Sequence, residues 1–175
     1  MNSLVINLFG GPGTGKSTLA SIIFAKLKML NIDVEMAPEY VKDLVWEESF
    51  KKIENQIYIF GKQHNRMFRL KSKVKVIITD SPLINSIVYY NGDNPHFKDL
   101  ILWEYNKMNN LSFYLERSFE YSNNGRVQSL DEAIDVDVKY KDILDNNLID
   151  YISIRSPYDV DMIVNLVNQK LNGAN

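Results

Sequence analysis

The chain has 175 residues, is 45% hydrophobic and 24% charged, and carries a net charge of −2. That balance excludes a disordered chain and gives no whole-chain charge to draw nucleic acid or an anionic membrane. The absence of cysteine excludes a disulfide framework, a thiolate metal site and a cysteine nucleophile, and two histidines, His64 and His96, are too few for a typical zinc site.

Apolar runs alternate with helical patterns, which predicts βαβ units, a parallel sheet and an α/β fold. Leu4 to Phe9 reads as a first strand rather than a signal peptide, and no stretch reaches transmembrane length. Ser17 to Leu30 has helical spacing, and Ile32 to Ala37 is a second strand stopped by Pro38. Phe50 to Leu70 predicts one long helix with an apolar stripe of Ile53, Ile57, Phe60, His64 and Met67. Val74 to Thr79 is a third strand; Ser81-Pro82 after it reads as an N-cap with proline at the first helical position. Phe97 to Met108 is helical, and Leu111 to Leu115 is a fourth strand. A polar segment, Glu116 to Ser129, leads to the capping box Ser129-Leu-Asp-Glu132 and a helix to about Asn146. Asp150 to Ile154 is a fifth strand, and Ser156-Pro157 is expected to open a last helix ending near Leu171. No linker or repeat divides the chain, so a single domain over 1–175, in the cytoplasm, is expected.

The chemistry starts at Gly10-Gly-Pro-Gly-Thr-Gly-Lys16-Ser17-Thr18, which fits the P-loop pattern between a strand and a helix. Gly11, Gly13, Thr14, Gly15, Lys16, Ser17 and Thr18 are the expected binders of ATP. Backbone N–H groups must converge on phosphate oxygens there, and the helix N-terminus adds its positive end. Lys16 supplies a charge to the β- and γ-phosphates, and Ser17 a hydroxyl for Mg2+. Asp80, ending the third strand, is expected at the metal or the acceptor hydroxyl. Glu39, after the second strand, faces the acceptor side as a candidate base, with Tyr40 beside it. Arg117 and Arg126 are candidates for neutralising charge on the γ-phosphate. Gln63 and Arg66 share a helix border that could line an acceptor pocket.

Together, GGPGTGKST, the PEY after strand two, the TDSP after strand three and Arg117-x-x-x-Tyr121…Gly125-Arg126-x-Gln128…Glu132-Ala133 resemble the small P-loop kinases of the ribosylnicotinamide kinase and deoxynucleoside kinase group, many of them phage or bacterial proteins described as AAA-like ATPases. The resemblance implies a three-layer P-loop NTPase fold. Its five-stranded parallel sheet would be nucleoside-monophosphate-kinase-like, with a lid after strand four at about 116–129. It further implies Lys16 and Ser17 at phosphate and magnesium, Asp80 near the metal, Glu39 near the acceptor hydroxyl, and Arg117 and Arg126 in the lid. The expected activity is transfer of the γ-phosphoryl group to a nucleoside, nucleotide or related metabolite. Two alternatives stand beside it. One is a phage-type kinase of 5-hydroxymethyl-pyrimidines in DNA, for which the basic cluster Lys51, Lys52, Lys62, Arg66, Arg69, Lys71, Lys73 and Lys75 would be the groove. The other is a nucleotide-switch or motor ATPase, although the guanine-reading motif and D-x-x-G are missing.

Overall fold

The computed structural model describes residues 2–118 and 129–173. In chain order these form β1 (Leu4–Phe9), α1 (Lys16–Met29), β2 (Val34–Met36), α2 (Tyr40–Trp46), α3 (Phe50–Ile53), α4 (Gln56–Phe68) and β3 (Val76–Thr79). Then follow α5 (Asn85–Val88), α6 (Pro95–Asn106), β4 (Asn109–Leu115), α7 (Leu130–Asn146), β5 (Ile152–Ile154) and α8 (Val160–Asn172). The five strands form one parallel sheet in the order β2-β3-β1-β4-β5. This is the expected P-loop architecture. The lid expected at about 116–129 lies mostly outside the described residues.

Both faces of the sheet are covered, so the inner strands are apolar on both sides instead of alternating. On one face Leu4, Ile6 and Leu8 pack with Leu19, Ile23 and Leu27 of α1 and Ile163 and Val167 of α8. On the other, Val5, Phe9 and Ile77 pack with Phe60 and Met67 of α4, Ile101 of α6, and Tyr140 and Leu144 of α7. Strand order then places the chemistry. Because β3 runs between β2 and β1, its C-terminal end falls between the turn after β2 and the loop after β1.

Four local expectations are corrected. The long helix over Phe50 to Leu70 is broken into α3 and α4, because the Asn55 side chain accepts from the Tyr58 N–H and starts a new helix. The inward face of α4 is also rotated from the predicted stripe: Ile57 is 59% exposed, whereas Gln56 and Gln63 are buried. Ser81-Pro82 does not open a helix. The Ser81 N–H donates to Thr79 Oγ1 at 3.1 Å, Ser81 Oγ accepts from Asn85 Nδ2 at 3.1 Å, and α5 begins only at Asn85. Nor does Ser156-Pro157 open the last helix, since Asp159 is the cap of α8, accepting from the Met162 N–H at 2.8 Å. The capping box of α7 stands as read, with Ser129 and Glu132 bonded reciprocally.

Candidate active site

The loop joining β1 to α1 runs over the C-terminal end of the sheet. Gly10, Gly13 and Gly15 all adopt positive φ. Gly10 is required on a second count: a Cβ there would come within 2.9 Å of the Leu115 carbonyl. Lys16 reaches back across the loop, and Nζ donates to the carbonyls of Gly10 at 2.7 Å and Gly11 at 2.8 Å. Thr14 is fully buried; its hydroxyl donates to the Gly11 carbonyl at 3.0 Å.

Asp80 ties the neighbouring turns together. Ser17 Oγ donates to its Oδ2 at 2.5 Å, and the Glu39 N–H donates to its Oδ1 at 3.0 Å. The pair fits magnesium. It offers oxygen donors alone, and Mg2+ is held by one or two protein oxygens with substrate phosphates and water completing the shell. By donating to Asp80, the Ser17 hydroxyl keeps lone pairs for a metal beside the phosphate loop.

A cavity of about 720 Å³ opens from this point. One end is the phosphate loop, through Pro12, Gly13, Gly15, Lys16, Ser17 and Thr18. The other passes Glu39 into a chamber whose walls include Val45, Gln56, Ile59, Gln63, Asn85, Tyr89 and Tyr140. The expected site residues therefore divide. Glu39 and Gln63 line the chamber; Asp80, Tyr40 and Arg66 do not. Arg66 braces the turn after β2. Its Nη1 donates to the carbonyls of Pro38 at 3.0 Å and Glu39 at 3.3 Å, its Nη2 pairs with Asp43, and its guanidinium lies over the Tyr40 ring. Tyr40 turns its hydroxyl to Tyr58 at 2.6 Å, and that bond holds its proton up to about 12. Gln63 is 3% exposed; Oε1 accepts from the Tyr40 N–H at 3.0 Å, and Nε2 donates to the Ala37 carbonyl at 3.3 Å.

Gly11 and Arg117 do not line the cavity; both meet Asp137 of α7. Arg117 Nε donates to Asp137 Oδ2 at 2.9 Å and Nη1 to the Pro12 carbonyl at 2.8 Å. Asp137 Oδ1 accepts from the Gly11 N–H at 2.7 Å. Arg126 lies outside the described residues.

A family model described as an AAA domain matches residues 5–160. The chain belongs to this AAA-domain family. No curated protein matches it. Among solved structures, this AAA domain is similar to a deoxyadenosine kinase from M. mycoides with dCMP and dCDP bound, at TM-score 0.57 and 20% identity, over 97% of this chain and 99% of that one. It is also similar to a thymidylate kinase from Ehrlichia chaffeensis, at TM-score 0.63 and 16% identity, over the whole of both chains. At such identities the likeness is one of fold.

Burial pushes the Lys16 ammonium of this AAA domain below the ordinary lysine range, while the charges of Glu39, Asp80 and Asp137 pull the other way. Sequence reading missed two residues that hold the loop from outside, Asp137 on α7 and Tyr158, whose hydroxyl donates to the Thr14 carbonyl at 2.8 Å. Asp137 had a readable signal. It falls four residues after buried Ala133 and three before buried Tyr140, so it is a carboxylate on the inward face of its helix. Tyr158 had none, since nothing local marks an exit-loop tyrosine.

Proposed function

We propose that the chain acts, as a single cytoplasmic domain, as an ATP- and Mg2+-dependent kinase that transfers the γ-phosphoryl group to a hydroxyl of a nucleoside-like small molecule. The observation that carries the reading is the continuity of the cleft: the phosphate loop and a chamber of mixed polarity share one cavity, with Glu39 between them. The fold likeness to kinases that handle deoxynucleosides and nucleotides supports it.

Phosphoryl transfer demands positioning and charge neutralisation more than covalent chemistry. The loop amides and Lys16 hold the donor phosphates. Ser17 and Asp80 would hold a bound Mg2+, and the chemistry it would supply there is neutralisation of phosphate charge. Glu39 lines the cavity, whereas Asp80, which accepts from Ser17 and the Glu39 N–H, does not. This favours Glu39 as the base and Asp80 as the metal-side carboxylate. Glu39 takes the proton of the acceptor hydroxyl as that oxygen bonds to the γ-phosphorus. The bond from the γ-phosphorus to the bridging oxygen breaks, its electron pair leaves on ADP, and Glu39 then returns its proton to water. Arg126 is assigned by sequence alone to the charge on the γ-phosphate.

Transfer from γ-labelled ATP to nucleosides, nucleotides and ribosylnicotinamide is the test, with normal and hydroxymethylated DNA as a second panel. Label is expected on a small molecule. Lys16→Ala is expected to abolish transfer, and Glu39→Gln to lower kcat by about 10²–10⁴-fold with ATP affinity kept. Label on DNA would move the acceptor to a polymer, and phosphate release with no labelled acceptor would make the chain an ATPase.

A further inference from the structure

The phosphate loop is held from outside by a charged bracket on α7. Asp137 is four-fifths enclosed, with side-chain exposure of 18% against 17% for Arg117. Its Oδ1 takes the Gly11 N–H at 2.7 Å. Its Oδ2 takes both Arg117 Nε at 2.9 Å and Nη2 at 2.7 Å. The same guanidinium donates to the carbonyls of Pro12 at 2.8 Å and Ala133 at 3.2 Å. Two consecutive loop residues are thus fixed, Gly11 through its N–H and Pro12 through its carbonyl. The fit leaves no slack: a Cβ on Gly11 would lie 2.4 Å from Asp137 Oδ1 and 2.8 Å from the Ala133 carbonyl.

We propose that Asp137 is a positioning residue for nucleotide binding: with Arg117 it holds the first half of the phosphate loop in its binding shape before the donor arrives. A glycine-rich loop has many conformations, and a donor that had to order it would bind more weakly, by about tenfold for each residue released. The bracket removes that cost in advance. It is also charge-balanced. Asp137 alone would set an anion beside a site for phosphates, and Arg117 neutralises it. The two residues are therefore coupled with a definite sign. Arg117→Ala strands a carboxylate beside the donor and should harm binding more than Asp137→Ala, and removing Asp137 as well should give part of that loss back.

The inference rests on reading the loop as a donor-phosphate site. Its test is the affinity for Mg-ATP of the full chain, measured by titration calorimetry without acceptor, at a temperature where circular dichroism shows every variant folded. Asp137→Ala is expected to weaken binding about tenfold. Arg117→Ala should weaken it further, and the double variant should bind more tightly than Arg117→Ala alone. Should an alanine variant fail to fold, Asp137→Asn keeps the size and an oxygen for the Gly11 N–H, and is expected to show a smaller loss of the same sign. Unchanged affinity in Asp137→Ala, or losses that simply add in the double variant, would overturn the bracket and leave the kinase reading standing. Tighter binding in Asp137→Asn would make the contact inhibitory instead. Wild-type protein that binds no ATP would remove both readings.

Discussion

At the scale of single residues, the site is a set of charges held under partial desolvation, and Lys16 is the one whose titration reports on it. Its ammonium ionises below the usual lysine value of 10.5 because burial disfavours the charged form, and three carboxylates only partly offset that. Donor phosphates add negative charge within reach of Nζ, so binding must raise its pKa again. A group whose pKa rises on binding takes up protons in the interval between the free and bound values. ATP binding at alkaline pH is therefore expected to be accompanied by proton uptake, largest between the free and bound values and absent well below both. ATP phosphates are fully ionised there and do not contribute. Calorimetric titrations in two buffers of different ionisation enthalpy measure the uptake. Loss of the pH-dependent part in Lys16→Ala would assign it to Lys16, whereas proton release would mean that the lysine is not the phosphate partner.

At the scale of elements, α4 is where the sequence and the structure part. Hydrophobic periodicity assigned Ile57 to the inner face and left Gln63 on the border, yet the helix turns Gln63 in and Ile57 out. The reason is polar accounting. The turn after β2 offers the Tyr40 N–H and the Ala37 carbonyl beneath the helix, and a buried amide satisfies both. Local pattern cannot reveal a partner from another element 23 residues away. The same limit hid the Arg117–Asp137 bracket, which joins β4's exit to α7 and the loop after β1. By contrast, features whose cause is local were legible: β1 as an apolar run broken only by Asn7, the glycine loop, and the Ser129–Glu132 box at the start of α7. Helix starts with local caps were legible only in part: Asp159 caps the helix that Ser156-Pro157 was expected to open, Asn55 starts α4 inside what read as one helix, and α5 begins after Ser81-Pro82 without a side-chain cap. Gln63→Ala should accordingly cost about 2–3 kcal/mol, by removing a buried side chain and leaving the turn's groups unpaired. Urea denaturation is the measurement. A change under about 0.5 kcal/mol, the range of a neutral surface substitution, would mean that water replaces the amide. If the turn carrying Glu39 is held through Gln63, the variant should also lower kcat while ATP affinity stays near wild type.

At the scale of the whole molecule, the cleft sits where two separately packed faces of one sheet meet. The loop's helix α1 belongs to the face with α8, while the chamber is walled by α4, α5 and α7 on the other. A donor in the cleft touches the sheet's C-terminal end between β1 and β3, which every layer shares. Its binding energy should therefore be felt by global unfolding, not by a local segment alone. For a ligand that binds only the folded chain, saturation at about 100 times Kd adds about 2.7 kcal/mol. At about 2–4 °C per kcal/mol for a domain of this size, Tm should rise by about 5–10 °C with Mg-ATP. A single calorimetric transition before and after addition is expected if 1–175 unfolds as one domain. Lys16→Ala should unfold as a single transition without the shift. Two transitions, with ATP moving only one, would divide the chain into separate folding units and place the donor site in one of them. An unsplit transition that ATP leaves in place would mean that the loop, for all its order, holds no donor.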